Sequence, residues 1–528
     1  PQILGDEIVW VNNEDVPVTA YIFLTMLHTG VLPCSRGAEF TWNQEGYLDT
    51  LDTEAVREFI NSTHERYKAE VGEYFGTTLK GVFTDEVAAV SYGSPEMAGM
   101  LLTLPWSRKF EQKFKEQRGY DVCDILPMLF IDSDDVDTAR ARYDYWLTVR
   151  DMYINAYMRQ VYDWCTDNNL LFTGHGGGEE SLRYQLNSFT DMYEIQKYFH
   201  MPGIDEIVTY RYIDYYDFNI TPKLASSAAL FLGRDRLLSE TYTLSGWDMS
   251  LRHMKRIANR IMLLGVNYIQ YMGSTYSMNG HGKGTNGPNH NWQNSLFKHY
   301  GDFNKYASSI SWIMSNTDTC AQTLVLNPYA TARALAGGAS LGEHLGTRNT
   351  HPLTLQDLTI QGVVNSLFEL HIPFEIAYEQ VLDNAPVREG RIWMGGHGYD
   401  TLILPAAIYV TEGTRRVMTE FAEQGGRLVL LNAVPSADID TKEDMQISSL
   451  LALDNVRVVH EERFDIIDGN KKAKAGFFTK AVRESLEGIP CIVDTQYADG
   501  LVSAFRRLGD DLILIYCNDG LDKVTAKG

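Results

Sequence analysis

Two apolar runs of the sequence end in carboxylate side chains. Asp85 and Glu86 close residues 80–86 (KGVFTDE), and Glu240 lies in residues 237–242 (LLSETY). A carboxyl group beside an apolar strand end is partly desolvated, which raises its pKa and suits it to general acid catalysis. A second carboxylate across a cleft can act as nucleophile or as base for water, as glycoside hydrolysis requires. Either group alone is as readily a solvated loop residue or a salt-bridge partner.

A glycine-rich stretch, residues 171–180 (LFTGHGGGEE), is the second candidate. Its glycines allow a ligand to approach the backbone closely, and His175 and Glu179 can hydrogen-bond a hydroxyl group. A strained turn with an internally bonded histidine is the alternative. Asp205 and Glu206 follow in PGIDE, where they can bind a sugar hydroxyl or a cation, or simply cap a helix.

Aromatic and polar side chains surround these carboxylates in the sequence. Aromatic faces stack on sugar rings, and phenol and indole groups add hydrogen bonds, although most such residues in any fold belong to the core. A Gly- and Asn-rich loop over residues 276–290 adds further polar groups. These features favour a polar, uncharged ligand with many hydroxyls, and we assign contacts with it to Asp85, Tyr242, Trp247, Tyr276 and His281.

The elements that must position these residues alternate between strands and helices. Apolar runs predict strands, and amphipathic stretches predict helices between them. This alternation predicts that residues 1–317 form a catalytic TIM-like (β/α)8 barrel that lacks its first strands. In such barrels the reactive groups lie at the carboxyl ends of the strands. The predicted strands are 18–24, 80–86, 170–175, 204–210, 237–242 and 266–272, and the helices are 53–67, 107–166, 248–264 and 293–315.

Two further segments follow the predicted barrel. Residues 318–450 alternate strands and helices as an open α/β sheet, without a phosphate-binding loop or a nucleophile elbow, so we predict a non-catalytic domain. Residues 451–528 are predicted to be β-rich, with strands at 456–460, 501–507 and 512–517, and to begin a β-sandwich that they do not complete.

Composition limits the kinds of partner. The 528 residues include 46 Lys and Arg against 69 Asp and Glu, for a net charge of −23. This excess of acid argues against nucleic acid or an anionic membrane as a partner, and the sequence has no run of about 18 apolar residues for a membrane span. We expect both ends to belong to a longer polypeptide. The oligomeric state and a bacterial periplasmic, secreted or cytoplasmic location stay open.

Several motifs resemble bacterial glycoside hydrolases of family 106. They are residues 47–60 (YLDTLDTEAVREFI), FTDE at 83–86, TGHGGGEE at 173–180, PGIDEI at 202–207, SETYTLSGW at 239–247 and GVNYIQYMGSTYSMNG at 265–280. The similarity covers about residues 17–330, and more weakly the next domain, which resembles flavodoxin-like or amidotransferase-like accessory domains. That domain lacks the amidotransferase cysteine elbow.

The resemblance implies an inverting α-L-rhamnosidase that acts on a glycan with two glutamates and a calcium ion. By motif, Glu86 is the general acid and Glu240 the base that activates water, and these roles are interchangeable. The calcium ligands do not transfer, so the metal site is unassigned. One alternative is a retaining β-galactosidase-like enzyme, although such enzymes carry Asn-Glu where this chain has Asp85-Glu86. Another is a non-catalytic barrel that binds glycan.

Overall fold

The computed structural model describes residues 2–4, 7–9, 21–25, 48–89, 104–207, 220–279, 287–338, 353–461, 479–486 and 501–518. In chain order its strands are β1 (Gln2–Leu4), β2 (Glu7–Val9), β3 (Gly81–Thr84), β4 (Leu171–Gly174), β5 (Gly203–Glu206), β6 (Leu238–Thr241), β7 (Tyr268–Tyr271), β8 (Asp318–Thr319), β9 (Thr323–Leu326), β10 (Phe374–Ala377), β11 (Val387–Arg388), β12 (Arg391–Met394), β13 (His397–Tyr399), β14 (Thr401–Pro405), β15 (Tyr409–Val410), β16 (Arg427–Leu431), β17 (Ala437–Asp438), β18 (Val456–Val459), β19 (Leu501–Leu508) and β20 (Asp511–Asn518).

The α-helices are α1 (Thr53–Phe59), α2 (Glu65–Val71), α3 (Phe110–Arg118), α4 (Leu126–Phe130), α5 (Val136–Tyr153), α6 (Arg159–Asp167), α7 (Leu182–Ser188), α8 (Met192–Lys197), α9 (Ile220–Phe231), α10 (Leu251–Leu263), α11 (Tyr300–Ser315), α12 (Tyr329–Leu335), α13 (Thr354–Glu369), α14 (Glu379–Leu382), α15 (Glu412–Glu423), α16 (Ser448–Leu451) and α17 (Thr479–Ser485). Within the described ranges, no helix combines the length and the apolar character that crossing a membrane requires.

Strands β3 to β7 run parallel and lie side by side in chain order. β3 pairs with β4, β5 pairs with β6, and β6 pairs with β7. The two groups meet where Thr173 bridges Met201 in parallel. At this junction a Cβ added to Gly203 would lie 2.2 Å from the carbonyl oxygen of Gly174, so only glycine fits. The pairings of the described residues do not close a barrel, and the predicted barrel therefore stays a prediction.

The helices of this first unit follow the sequence patterns that predicted them. Asp52 caps α1, as its position before an amphipathic run predicts, and accepts a hydrogen bond from the amide of Glu54. Two π-helical turns, Ile60–His64 and Ile154–Met158, join α1 to α2 and α5 to α6. The predicted helical region 107–166 is divided among α3 to α6.

The strand predicted at residues 18–24 is not found in its described part. Residues 21–25 form no strand, and the side chains of Tyr21, Ile22 and Leu24 are exposed. β-Branched and aromatic residues favour a strand only when a neighbouring strand or a core covers them. Residues 18–20 lie outside the described ranges.

A second sheet follows, with five parallel strands in the order β10-β9-β14-β16-β18. Its residues alternate between two apolar clusters. Val325, Ile403 and Val429 pack into the same cluster as the helices around β3 to β7, whereas their neighbours pack with α15 and the antiparallel strands β11 to β13. One face of the sheet therefore shares a core with the first unit.

The last strand of that sheet differs from the sequence prediction. β18 pairs in parallel with β16, so Val456–Val459 belongs to the second sheet and not to the predicted β-rich third segment. A short β-branched run predicts a strand without identifying its partner, which explains the difference. β19 and β20 do form an antiparallel hairpin, and β19 also pairs with β8.

Candidate active site

The predicted catalytic carboxylates lie at the carboxyl ends of the parallel strands. Asp85 and Glu86 follow β3 directly, and Glu240 lies within β6, opposite Asp205 of β5. Residues paired in register project to the same face of a sheet, so Asp205 and Glu240 face the same side. Glu206, the next residue, is buried on the opposite face.

His175 connects two of these strand ends. Its Nε2 lies 2.8 Å from Oε2 of Glu240 and 3.6 Å from Oδ1 of Asp85. Its Nδ1 lies 3.0 Å from the carbonyl oxygen of Gly176. Carboxylate and carbonyl oxygens only accept hydrogen bonds, so both ring nitrogens must donate. With Glu240 ionised, the imidazole is protonated and donates a charge-assisted hydrogen bond to it.

The pKa values of the buried groups follow from this arrangement. Burial alone would lower the pKa of His175, but the hydrogen bond to Glu240 and the charges of Asp205 and Glu179 raise it to about 10. Burial raises the pKa of Glu179 to about 8, opposed by His175 and by hydrogen bonds from backbone amides. Burial also raises the pKa of Asp205 to about 7. Such shifts are frequent at functional sites.

The glycines of the 174–178 loop make room for this cluster. A Cβ on Gly176 would lie 2.2 Å from Cδ1 of Phe189, and one on Gly174 would lie 2.0 Å from the carbonyl oxygen of Thr84. A Cβ on Gly177 would touch the side chain of Glu86 at 3.4 Å. The loop therefore packs directly against the acid at the end of β3.

Glu179 ties the loop to the neighbouring strand. Its Oε1 accepts a hydrogen bond from the amide of Gly176 at 3.0 Å, and its Oε2 accepts one from the amide of Asp205 at 2.9 Å. The side chain is buried. Both oxygens accept hydrogen bonds within the protein, and the substrate contact that the sequence predicted for Glu179 stays a prediction.

Glu86 is fixed by its backbone. Its φ is +48°, in the left-handed region that non-glycine residues seldom adopt, and strain of this kind clusters at functional sites. The hydroxyl of Tyr153 donates to the carbonyl oxygen of Val87 at 2.6 Å, and Tyr157 is 2.9 Å from the hydroxyl of Thr84. The two tyrosines therefore hold the chain on both sides of Asp85 and Glu86.

Sequence reasoning missed Tyr153 and Tyr157 as positioning residues. They are four residues apart, Tyr153 as the last residue of α5 and Tyr157 within the π-helical turn that follows, with their rings stacked 6.1 Å apart. Helical spacing alone would put both on one face, but nothing in the sequence shows that this face meets the end of β3. π-Helical turns occur often at functional sites.

The aromatic residues predicted to contact the substrate differ in burial and surroundings. Tyr242 is fully buried, and its hydroxyl donates to the carbonyl oxygen of Met254, so no exposed surface supports the substrate contact predicted for it. Trp247 is partly exposed beside Gly287, and Tyr276 is fully exposed. Among the described residues, no hydrogen bond or ring contact joins Tyr276 to the carboxylates. His281 and the tyrosine-rich residues 210–218 (YRYIDYYDF) lie outside the described residues.

The described residues offer no evident binding site for the calcium ion that the family resemblance implies. Calcium takes six to eight oxygen ligands. Among the described residues, no group of three or more Asp, Glu, His or Cys side chains is arranged to hold a metal ion. Both carboxylate oxygens of Glu179 accept hydrogen bonds from backbone amides, and Glu240 is hydrogen-bonded to His175. Within the described ranges no set of ligands for the ion is found, and the calcium ion stays a prediction.

A family model described as α-L-rhamnosidase, of glycoside hydrolase family 106, matches residues 41–281. This range contains the loop at 174–178 and both predicted catalytic glutamates. The resemblance to that family is therefore confirmed over this part of the chain. No curated protein matches the sequence.

Solved structures of glycosidases share the fold. A rhamnosidase from Novosphingobium sp. PP1Y superimposes with a TM-score of 0.61 at 16% identity, over 89% of this chain and 42% of that one. Gan42B, a GH42 β-galactosidase from G. stearothermophilus, gives 0.60 at 12% identity, over 90% and 78% of the chains. A β-galactosidase from Bacillus circulans sp. alkalophilus gives 0.57 at 12%, over 89% and 77%. The chain thus spans less than half the length of the rhamnosidase.

Proposed function

We propose that this protein is a glycoside hydrolase that removes a terminal sugar, α-L-rhamnose, from a glycan. The observation that carries the proposal is the match of residues 41–281 to the α-L-rhamnosidase family model, in a fold shared with glycosidases. The carboxylates gathered at the ends of β3, β5 and β6 supply the chemistry that glycoside hydrolysis needs.

In the proposed reaction, Glu240 acts as the base. The protonated imidazole of His175 binds Oε2 of Glu240, which orients the carboxylate and favours its ionised form as an acceptor. The other oxygen would take a proton from the water that attacks the anomeric carbon. Glu86, half-buried against Gly177, would protonate the leaving oxygen. The glycosidic C–O bond breaks as the new C–O bond to water forms, and configuration inverts.

We also infer the architecture that the sequence predicted. The chain-order parallel arrangement of β3 to β7 and the shared fold with glycosidases support a (β/α)8 barrel over residues 1–317. The strand order of the second sheet, numbered along the chain, is 2-1-3-4-5, and this order supports a flavodoxin-like domain from residue 318. A separate apolar cluster from Ala321 to Leu450 supports a unit that begins near residue 318, and the pairing of β18 with β16 extends this unit to Val459.

The first test is hydrolysis of a panel of aryl glycosides by the protein, with α-L-rhamnoside and β-D-galactoside included. The proposal expects release from the rhamnoside, with the β-anomer of rhamnose as the first product in an NMR time course. Release from the galactoside with retention would replace it by the retaining β-galactosidase alternative. Glycan binding without release from any substrate would favour the non-catalytic alternative.

Substitution tests the two glutamates. We expect Glu86→Gln and Glu240→Gln each to lower kcat by about 10³-fold or more, because each removes a proton-transfer group without changing side-chain volume. Thermal unfolding should change little in Glu86→Gln, whereas Glu240→Gln also removes the charged partner of the buried His175 and should unfold at a lower temperature. The matched control is Glu116→Gln on the exposed face of α3, which should retain full activity. Unchanged turnover in both active-site variants would refute the assignment.

A further inference from the structure

The second α/β unit contacts the polypeptide that carries the active-site loop. The amide of Leu182, the first residue of α7, donates to Oδ1 of Asp357 at 2.7 Å. One turn further along α13, Nε2 of Gln361 donates to the carbonyl oxygen of Glu180 at 2.9 Å. Two side chains of one helix thus hold the chain immediately after Glu179.

A buried hydrogen-bond chain makes a deeper connection. The hydroxyl of Tyr329, in α12, donates to Oε1 of Gln185 and accepts from the amide of Met192 at 2.8 Å. Nε2 of Gln185 then donates to the carbonyl oxygen of Glu179 at 2.6 Å. Tyr329 and Gln185 have almost no exposed surface. Buried polar chains of this kind are rigid when every member is bonded.

The chain continues from Glu179 to the proposed base. The side chain of Glu179 accepts a hydrogen bond from the amide of Gly176. The carbonyl oxygen of Gly176 accepts one from Nδ1 of His175, and Nε2 of His175 donates one to Glu240. Each step is a hydrogen bond between buried or nearly buried groups. No part of this path requires the ligand to be present, so the orientation of Glu240 is set before substrate binds.

We propose that Tyr329 of the second α/β unit is a positioning residue for the active site, acting through Gln185, Glu179 and His175 on Glu240. The second unit is then part of the catalytic apparatus, although it contacts no reacting atom. This inference rests on the proposed function for its kinetic consequence, but its structural consequence can be measured without any substrate.

The structural test is amide hydrogen exchange in the whole chain with Tyr329→Phe, which removes only the hydroxyl. We expect faster exchange over residues 176–186, because the loop loses one of its anchors. Tyr378→Phe is the matched control: its hydroxyl is equally buried in the same unit but donates to the carbonyl oxygen of Leu224 in α9. Its exchange over residues 176–186 should equal that of the wild type.

The kinetic test uses the same variants. We expect Tyr329→Phe to lower kcat by about ten-fold with little change in KM, since misplacement of a reacting group affects the transition state more than binding. The alkaline limb of its pH profile should move to lower pH as His175 loses its fixed contact with Glu240. Gln361→Ala, at a half-buried position, is the second variant and should have the same effects. It serves as the test if Tyr329→Phe does not fold.

The outcomes separate the two proposals. Faster exchange of the loop in a protein that hydrolyses nothing would overturn the proposed function and leave the positioning role standing. Wild-type exchange and wild-type kcat in both Tyr329→Phe and Gln361→Ala would overturn the positioning role. Equal losses in Tyr329→Phe and Tyr378→Phe would also overturn it, because the effect would then be general destabilisation.

Discussion

At the scale of single residues, His175 decides the electrostatics of the site. It is a buried cation among the carboxylates Asp85, Glu179, Asp205 and Glu240. Carboxylates gathered without such a cation would repel one another and hold their protons. A protonated histidine keeps the cluster compatible with an ionised base, and its hydrogen bond gives Glu240 a single orientation.

His175 is therefore expected to stay protonated well above neutral pH. In NMR spectra of the protein with ¹⁵N-labelled histidine, His175 should keep its imidazolium shifts at pH 8.5, whereas His290, whose pKa is lowered by burial, should be neutral there. In Glu240→Gln the strongest contribution that raises the His175 pKa is lost, so its titration should move to lower pH. A neutral His175 at pH 8.5 in the wild type would contradict this.

The raised pKa of His175 also makes the folding stability depend on pH. The folded-state pKa of His175, about 10, lies above the unfolded value of 6.5, so the native state binds the extra proton between them. The contribution is complete below pH 6.5 and is lost as pH rises to 10, at a slope of at most about 1.4 kcal/mol per pH unit.

Only part of this cluster could be predicted from the sequence. Carboxylates after apolar runs predicted that Asp85, Glu86 and Glu240 lie at strand ends, and they do. The bond between His175 and Glu240 joins residues 65 positions apart and depends on which strands become neighbours. No local pattern contains that information, and the same holds for the two tyrosines beside Glu86.

At the scale of elements, the glycine loop after β4 is the most constrained connection. Gly176 lies against the ring of Phe189, and the loop leaves no space for a side chain there. Phe189 follows α7, so the loop and the helix after it pack as one unit. The geometry of the site thus depends on the contact between a loop and the helix that follows it.

Gly176→Ala tests this contact. Its Cβ would lie 2.2 Å from Cδ1 of Phe189, so we expect a loss of about 1–3 kcal/mol in the free energy of unfolding, together with lower activity. Gly301→Ala is the matched control: its Cβ would meet nothing within 4 Å, and alanine favours the helix α11. Urea denaturation should show Gly301→Ala at least as stable as the wild type. Equal stability of the two variants would contradict the steric argument.

Long apolar runs predicted the elements well, and short ones did not. Strands β3, β4, β6 and β7 lie within the predicted ranges 80–86, 170–175, 237–242 and 266–272, each of which contains several apolar residues, as buried parallel strands do. The antiparallel strands β11 to β13 were missed, since each has only two to four residues and no clear periodicity.

At the scale of the whole molecule, the second sheet and the first unit share an apolar core. A buried ion pair crosses this interface: Nζ of Lys223, in α9, lies 2.6 Å from Oε2 of Glu375, in β10. The hydroxyls of Ser227 and Thr319 also donate to Glu375. With a common core and a shared ion pair, we expect the two units to unfold together.

Lys223→Met should therefore destabilise both units. It leaves the Glu375 carboxylate buried without its cation, at a cost of about 3 kcal/mol or more, and the thermal transition should stay single at a lower temperature. Lys113→Met breaks only the exposed pair with Glu116 and should shift the thermal transition very little, because exposed ion pairs contribute little to stability. Two separate calorimetric transitions, or equal shifts in the two variants, would contradict a common folding unit.

The left-handed backbone at Glu86 has a consequence for attempts to improve the protein in the laboratory. Glycine adopts a φ of +48° without the steric cost that a glutamate meets, so replacing Glu86 by glycine relieves local strain while removing the proposed acid. A library selected for heat resistance alone would tend to enrich this change. Directed evolution of this chain would then need selection for turnover in every round, because robustness and catalysis favour different residues at position 86.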